Sequence, residues 1–320
     1  MKALVTGGFG FIGSHLVEAL AGCGHDVRIF DTNSDCYYPD PIYKAFIQEN
    51  SVEVIKGDIC EPGDCLNATR NIDVVFHTAA VALIRESYEA PERAYIVNVK
   101  GTENLCKAAV SNQVKKFIYS STGKIYGNNG EPMSRETSPL IPITPYARTK
   151  YDAEKIVASY AKDRGIDICT MRYFSIYGPR MRLFGGLIGD ILHSLLNGRN
   201  PRINATRSMA RDFTYIDDVV RANLLCLERS FDDHEVFNIA SGVTRTVEDL
   251  VSLIIKLYAQ DLRVAYDGIL EGMALTTQAD ITKAKEQLGY EPGVQLEDGL
   301  KRTIAWMKAY ALLENNLIKG

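Results

Sequence analysis

The octapeptide Thr6–Gly13, "TGGFGFIG", decides the fold. It follows an apolar run that predicts a strand, "KALVT" (2–6), and precedes a pattern that predicts a helix, "SHLVEALAGCG" (14–24). Between a strand and a helix, the first glycine permits a tight turn, the second lets the backbone approach a pyrophosphate, and the third lets the helix pack closely on the sheet. The helix N-terminus then directs free N–H groups at the anion. The stretch predicts a dinucleotide site formed by Gly7, Gly10, Phe11, Ile12 and Gly13.

An acidic residue ends the next predicted strand, "DVRIFD" (26–31). The carboxylate of Asp31 would accept hydrogen bonds from both ribose hydroxyls and repel a 2′-phosphate, which favours NAD over NADP. Further cofactor contacts are expected where other strands end, in "GDI" (57–59) and "HTAA" (77–80), because ligands of open α/β sheets bind at the carboxyl ends of the strands. These predicted contacts are Asn33, Asp58, Ile59, Ala79 and Ala80. His77 has an apolar context and is interpreted as structural.

The first half of the chain alternates apolar runs with helical patterns, which predicts a parallel sheet covered by helices. Further strands are predicted at 52–58, 73–79, 115–121, 167–174 and 235–241, with the first three too continuously apolar to be half-solvated, and helices at 92–112, 146–164, 246–258, 280–288 and 296–311. The stretches 178–186 and 197–212 are interpreted as loops. The fold class is therefore α/β, a Rossmann-type doubly wound sheet with a smaller C-terminal substrate-binding lobe. Residues 1–174 should form the NAD-binding domain, to which the strand near 235–241 returns, and 175–320 mainly the lobe.

Composition narrows the functional classes. The net charge is −4 among 320 residues, so no basic excess points to a nucleic-acid partner. No apolar run approaches the roughly 20 residues that span a membrane, and the chain starts with a strand rather than a secretory signal. The seven scattered cysteines, without a C-x-x-C, indicate reduced thiols and no metal site. We therefore expect a cytoplasmic protein.

The chemistry is expected from "PYARTK" (145–150), in which Tyr146 and Lys150 lie four residues apart and so on one face of a helix. A free phenol, with its pKa near 10, is a poor base at neutral pH. Lys150 and a positively charged nicotinamide could together stabilise the phenolate. Thr122, at the end of a predicted strand, would orient the substrate hydroxyl that loses its proton. The predicted catalytic residues are Thr122, Tyr146 and Lys150.

Nine segments of the chain occur in the order and spacing of the extended short-chain dehydrogenase/reductases. They are "TGGFGFIG", Asp31, "GDI", "HTAA", "NVKGT", "SSTGKIYG", "PYARTK", "RYFSIYGP" and "RDFTYIDD". The subgroup that the chain most resembles is the nucleotide-sugar epimerases, of the UDP-glucose and UDP-glucuronate 4-epimerase kind. The resemblance implies that Asn98, Ser120 and Tyr173 approach NAD, with Tyr146 and Lys150. It also implies a substrate side formed by Arg85, Thr122, Lys124, Tyr146, Ser175, Arg182 and Arg211. Arg211 has an independent reason, since its guanidinium can hold a diphosphate with a fork of donors.

Lys124 bears on the reaction. Dehydratases of this family resemble the pattern T-D-E and uronate decarboxylases T-S-E, whereas here the sequence is Thr122-Gly123-Lys124. A 4-epimerase needs no such acid, so the main expectation is an NAD-dependent 4-epimerase of UDP-glucose/UDP-galactose or of UDP-glucuronate/UDP-galacturonate. The position of Lys124 would also suit a carboxylate on the sugar. The alternatives are a UDP-glucuronate decarboxylase or NDP-sugar 4,6-dehydratase, and a non-catalytic NAD-binding regulator.

Two further expectations rest on the resemblance alone. Homodimers are common in the family, through the helices predicted at 92–112 and 146–164. Leu270 stands where many members have an arginine on the diphosphate, so the sequence departs from the family pattern at this phosphate contact. The nucleotide-sugar partner, with no nucleic acid and no membrane, completes the prediction.

Overall fold

A seven-stranded parallel sheet forms the centre of the computed structural model, which describes residues 1–33, 40–161, 165–231, 234–258, 263–268 and 274–317. The strand order is β11-β6-β5-β4-β1-β2-β3. These strands are β1 Lys2–Thr6, β2 Asp26–Asp31, β3 Glu53–Lys56, β4 Val74–His77, β5 Lys116–Thr122, β6 Asp167–Tyr173 and β11 Glu235–Ile239. All seven lie within the predicted segments except that β5 extends one residue further, to Thr122. The predicted Rossmann-type sheet is confirmed.

One strand differs from the expectation of full burial. β3 pairs only with β2 at the edge of the sheet, and its residues alternate between half-buried and exposed. The interior strands β4 and β5, which come from the other two apolar runs, are buried along their whole length. An edge strand is covered less completely than a central one, which a short apolar run in the sequence does not reveal.

Helices cover both faces of the sheet. Those in the first half are α1 Phe11–Gly22, α2 Pro41–Glu49, α3 Pro62–Ala68, α4 Ile84–Glu89, α5 Pro91–Tyr95, α6 Thr102–Ser111 and α7 Pro145–Ala161. Those in the second half are α8 Leu187–Leu196, α9 Ile216–Leu227, α10 Val247–Tyr258, α11 Thr282–Leu288 and α12 Leu296–Leu317. α1 packs with α9 on one face, while α3, α6 and α7 pack together on the other. Each face has its own apolar core.

The predicted helix 92–112 is interrupted. A π-helical turn, Ile96–Gly101, separates α5 from α6. Such turns widen the helix and change the direction of side chains, and they recur near functional sites. Here the turn places the buried Asn98 between the loop after β4 and helix α7, where its amide bonds Val81 on both sides and donates to Thr149 Oγ1 at 3.0 Å.

Short strands lie within and beside one of the stretches interpreted as loops, 197–212. β8 Arg202–Ile203 pairs with β13 Ala265–Tyr266, and β9 Ala210–Asp212 lies between β12 Thr244–Thr246 and β14 Thr276–Thr277. β7 Ile176–Tyr177 pairs with β10 Thr214–Tyr215. Strands of two or three residues are too short to give a period-two signal, so the prediction of a loop over 197–212 was wrong, whereas 178–186 is a loop as predicted. Within the described residues, no helix combines the length and apolarity that a membrane crossing requires.

Candidate active site

The glycine turn after β1 lets backbone segments approach each other closely. Gly7 has φ +69°, and a Cβ there would lie 2.9 Å from the Cα of Ala79. A Cβ on Gly13 would lie 2.2 Å from the carbonyl oxygen of Gly7, so only glycine lets α1 approach the turn this closely. Helix α1 begins after Gly10 with no side-chain cap and no acid in its first turn. Its N-terminal N–H groups and positive dipole end are therefore left to an anion, as a dinucleotide pyrophosphate requires.

Asp31 lies at the end of β2, beside this turn. Its carboxylate accepts from the backbone N–H of Phe9 and of Asn33, each at 3.1 Å. Burial raises the pKa of Asp31 above its ordinary value, and these N–H groups partly reverse the shift. In the next loop along the sheet, Asp58 accepts from the N–H of Cys60 at 2.9 Å. The two predicted adenosine-side carboxylates thus follow adjacent strands, β2 and β3.

From the glycine turn, a cavity of about 450 Å³ extends along the carboxyl ends of β1, β4, β5 and β6. It brings together most of the residues predicted from the sequence. These are Gly7, Gly10, Phe11, Ile12, Gly13, Ala80, Ser120, Thr122, Lys124, Tyr146, Lys150, Tyr173, Ser175, Arg182 and Arg211.

The charge of the described cavity wall is one-sided. Five basic side chains line it, and no aspartate or glutamate does; the five are Lys124, Lys150, Arg180, Arg182 and Arg211. Part of this charge is neutralised from behind, because Arg180 pairs with Glu18 and Arg182 lies 3.8 Å from Glu86. Cations enclosed by low-dielectric walls attract anionic ligands. The cavity is suited to phosphorylated molecules and offers no carboxylate for proton transfer.

The three predicted catalytic residues meet inside the cavity. Thr122 is the last residue of β5, and Tyr146 and Lys150 lie one turn apart near the start of α7. All three are buried. Burial raises the pKa of Tyr146 to about 12, while the hydroxyl of Thr122 acts in the opposite direction by hydrogen-bonding the phenol. In the chain alone, the phenol is thus an even weaker acid than free tyrosine.

The side chain of Lys150 contacts an aromatic ring of strand β5. Its Nζ lies over the ring of Tyr119, 4.2 Å from the ring centre. Burial lowers the pKa of Lys150 to about 7, and the carboxylate of Glu154, one turn further along α7, opposes this shift. The ammonium is therefore held within the cavity by a weak cation–π contact, which a stronger anionic partner can replace.

Tyr173, at the end of β6, is held by a hydrogen-bonded group. Its hydroxyl accepts from Asn223 Nδ2 at 2.9 Å and from Ser120 Oγ at 3.4 Å. Burial raises its pKa. Ser175, two residues further, has φ +23° on the cavity wall, a left-handed conformation that non-glycine residues rarely adopt. The loop after β6 is thus bent into the cavity.

Seven predicted contacts do not line this cavity: Asp31, Asn33 and Asp58, which lie near the ends of β2 and β3, and four others. Arg85 points to solvent from α4, its side chain 83% exposed, and pairs with Glu89 at 2.7 Å. Ile59 is buried and packs in the space above Gly101. The other two are Asn98 and Ala79. The amide of Asn98, on the π-helical turn, donates to Thr149 on α7, and Ala79 packs against the glycine turn. Leu270 lies outside the described residues.

The sequence did not single out Arg180 as a site residue. It follows β7 in "GPRM", has φ +63°, and directs both terminal nitrogens to the carboxylate of Glu18 on α1. Its guanidinium also lies 5.0 Å from the ring centre of Tyr43. This residue ties the loop after β7 to the helix of the glycine turn. Only the paired glycine and proline before it, which predict a turn, hinted at its position.

His77 is structural, as predicted. The Oγ1 of Thr6 accepts from two backbone N–H groups and so donates to Nδ1 at 2.8 Å. Thr102 Oγ1 donates to a carbonyl and so accepts from Nε2 at 2.9 Å. Burial, with a contribution from Lys150, lowers the pKa of His77 to about 3. The ring is a neutral, fully bonded link between β1, β4 and α6.

Residues 3–240 match the profile of the NAD-dependent epimerase/dehydratase family. The chain belongs to this family. The match confirms the resemblance described from the motifs and, with it, NAD as the cofactor named in the family description.

Two solved structures and one sequence relative are similar to this chain over nearly its whole length. A UDP-glucose 4-epimerase from Thermotoga maritima, with UDP-glucose, has a TM-score of 0.88 at 34% identity and covers 97% of this chain and 99% of its own. A UDP-glucuronic acid 4-epimerase from Bacillus cereus, with UDP-glucuronic acid and NAD, has the same TM-score and coverage at 32% identity. A UDP-N-acetyl-α-D-glucosaminuronate decarboxylase from Bacillus cytotoxicus is 30% identical over 96% of this chain and 98% of its own length.

Proposed function

We propose that this member of the family is an NAD-dependent 4-epimerase of a UDP-hexose, acting through a 4-keto intermediate. The observation that carries the proposal is the meeting of Thr122, Tyr146 and Lys150 in one cavity. The described wall of that cavity is basic and has no carboxylate. Cations suit a dinucleotide and a nucleotide sugar, and the phenol is the group placed to move a proton.

In this proposal Tyr146 removes the proton of the sugar C4 hydroxyl and later returns it. Thr122, which already bonds the phenol, orients that hydroxyl. Lys150 leaves the ring of Tyr119 to bind the nicotinamide ribose and to stabilise the phenolate. NAD⁺, when bound, would accept the hydride from C4 and later return it. Rotation of the keto sugar between the two transfers inverts C4.

We assign the remaining contacts to the cofactor or to the substrate according to their position in the chain. We assign residues 1–174, with β11, to the cofactor, and 175–320 mainly to the substrate. On the cofactor side, Asp31 and Asn33 take the adenosine ribose and Asp58 the adenine. On the substrate side, Arg211 takes the diphosphate, with Ser175 and Arg182 nearer the loop after β6.

Elimination and decarboxylation are the competing reactions. The decarboxylase relative keeps that alternative open. A 4,6-dehydratase needs acid and base groups to remove water across C5 and C6, and no carboxyl group lines the described wall of the cavity. A regulator that only binds NAD has no need for the Thr122, Tyr146 and Lys150 arrangement, because the fold does not depend on all three. The groups present are sufficient for epimerisation, and product analysis separates it from decarboxylation.

The purified, NAD-loaded protein should convert at least one UDP-hexose into its 4-epimer. We expect UDP-glucose or UDP-glucuronate, tested separately, to approach an equilibrium mixture that chromatography or proton NMR resolves. A UDP-pentose with release of CO₂ would instead establish the decarboxylase. A 4-keto-6-deoxy product would establish the dehydratase, and no turnover of any UDP-hexose would contradict the enzyme proposal.

We also propose that the protein is a cytoplasmic homodimer. The six described cysteines are free thiols, in keeping with a reducing compartment. Large apolar side chains are exposed along α4, α5 and the π-helical turn, beside α7: Tyr88 (51%), Tyr95 (43%) and Ile96 (42%). Neighbouring exposed apolar residues of this kind mark interaction surfaces.

Sedimentation equilibrium should give twice the chain mass of 35.5 kDa. Ile96→Glu would place a charge in the interface and is expected to give monomers. Ile42→Glu, at a residue that is 74% exposed on α2, should leave the dimer intact. A monomeric wild-type protein, or a dimer unaffected by Ile96→Glu, would exclude this surface as the interface.

A further inference from the structure

Lys124 is held at the reacting end of the cavity by the local backbone. The residues after β5 form a 3₁₀ turn, Gly123–Tyr126, in which the hydroxyl of Thr122 accepts the N–H of Lys124 at 3.3 Å. A Cβ on Gly123 would lie 2.6 Å from the ring of Phe174, so the turn packs directly on that ring. The turn fixes Lys124 beside Thr122, and its side chain lines the cavity.

The ammonium of Lys124 has no acidic partner among the described residues. The side chain is exposed, but to the cavity that it lines. Burial of this region, with the nearby charge of Arg211, lowers the pKa of Lys124 to about 8. The cationic form therefore still dominates at neutral pH, and three donors of the ammonium are available to a ligand.

Arg211, the neighbouring cation, is held by hydrogen bonds to backbone carbonyls. Its Nη1 donates to the carbonyls of Ala210 and Leu275, and its Nη2 donates to that of Ala274 at 2.8 Å. Burial lowers its pKa to about 10. These three bonds hold the guanidinium in one orientation and leave Nε–H and one Nη2–H for a ligand. Two adjacent cations on a cavity wall whose described part has no carboxylate favour the binding of anions between them.

A UDP-hexose carries its diphosphate on C1, across the sugar ring from C4. Arg211, on β9, keeps Nε–H and one Nη2–H for a ligand, and this pair of donors suits a diphosphate. Lys124 lies two residues from Thr122, the group assigned to the C4 hydroxyl, and C6 is attached to the carbon next to C4. A neutral CH₂OH at C6 would leave the ammonium without a counter-charge, whereas a carboxylate would supply one and bond it.

We infer that the physiological substrate is a UDP-hexuronate, whose C6 carboxylate is bound by Lys124. This inference rests on the proposed 4-epimerase function and names its substrate class. It makes Lys124 a specificity residue: its ammonium distinguishes an acidic sugar from a neutral one, while Arg211 serves both through the diphosphate they share.

The test compares kcat/KM for UDP-glucuronate and UDP-glucose in the NAD-loaded wild type and in Lys124→Met. A charge-assisted bond to a carboxylate corresponds to a loss of about 30-fold. We expect this loss for UDP-glucuronate only, with UDP-glucose and the inhibition constant of UDP changed less than about threefold. Lys124→Arg should keep the preference for the acidic sugar. Lys256→Met, at an exposed helical lysine remote from the cavity, is the control.

Other outcomes overturn the inference. Equal losses for both sugars together with weaker UDP inhibition would assign Lys124 to the diphosphate. A wild type that prefers UDP-glucose, or a Lys124→Met variant with unchanged preference, would show that the lysine does not recognise the carboxylate. If no sugar is epimerised, the function proposal fails separately, and calorimetric binding of UDP-glucuronate and UDP-glucose to the same variants decides the role of Lys124.

Discussion

Tyr146→Phe should lower kcat by about 10³-fold, within the range that a positioned general base contributes, and should leave NAD bound. The substitution removes one oxygen from a buried side chain whose ring contacts remain. Its hydroxyl partner, Thr122, keeps the bond from the N–H of Lys124. The folded structure is therefore preserved, and the loss isolates proton transfer.

The phenol of Tyr146 can act as a base only if its phenolate form is strongly stabilised. Burial raises the pKa of Tyr146 to about 12 in the chain alone. Reaching neutrality requires roughly 7 kcal/mol of preferential phenolate stabilisation, at about 1.4 kcal/mol for each pKa unit. A cation in contact supplies about 4 kcal/mol at an effective dielectric constant of about 20. Two cations are needed, so the base should form only when Lys150 has turned towards the phenol and the oxidised cofactor is bound.

Three measurements check this prediction. NAD retained by the variant is quantified after heat release, and kcat is compared with that of Tyr151→Phe, on the same helix, whose ring lies under Lys155. The wild-type rate should rise with pH through the pKa of the phenol in the complex, because the phenolate is the active form. That rising limb should be missing in Tyr146→Phe. Activity within tenfold of wild type would assign the proton to another group.

Local sequence patterns were enough to predict the central sheet and the glycine turn. The strands at 2–6 and 26–31 were predicted residue for residue, because apolar runs bounded by turn residues are read locally. The close approach of Gly13 to Gly7 follows from the motif spacing alone. The sequence could likewise place Thr122, Tyr146 and Lys150 in one cavity, since each lies where a strand ends or a helix starts.

Orientation within that site was not predictable from spacing. Two residues four apart share a helix face, but the direction of the Lys150 ammonium depends on Tyr119, which comes from another strand. Arg85 lies near the cavity in sequence, yet the turn of α4 directs it to Glu89 and solvent. The role of Arg180 depends on Glu18, 162 residues away. Such contacts are set by tertiary packing, for which a single sequence carries no periodic signal.

A buried ion pair between β6 and helix α7 likewise depends on tertiary packing. Arg172 on β6 donates from Nε and Nη2 to the two carboxylate oxygens of Glu154 on α7, at 3.1 and 2.8 Å. Both side chains are about 5% exposed. The same carboxylate accepts from Ser121, next to Thr122, and acts on the pKa of Lys150. The pair therefore connects β5, β6 and α7, the helix that carries Tyr146.

Arg172→Met should lower the free energy of unfolding by about 3 to 5 kcal/mol, because it leaves the buried carboxylate of Glu154 without its counter-charge. Denaturant unfolding measures the loss. The double variant Arg172→Met/Glu154→Leu removes both charges and should recover much of the stability. Arg85→Met, which breaks an exposed pair, should cost less than about 1 kcal/mol. Equal losses in the single and double variants would show that packing around Arg172, rather than its charge, holds α7 against the sheet.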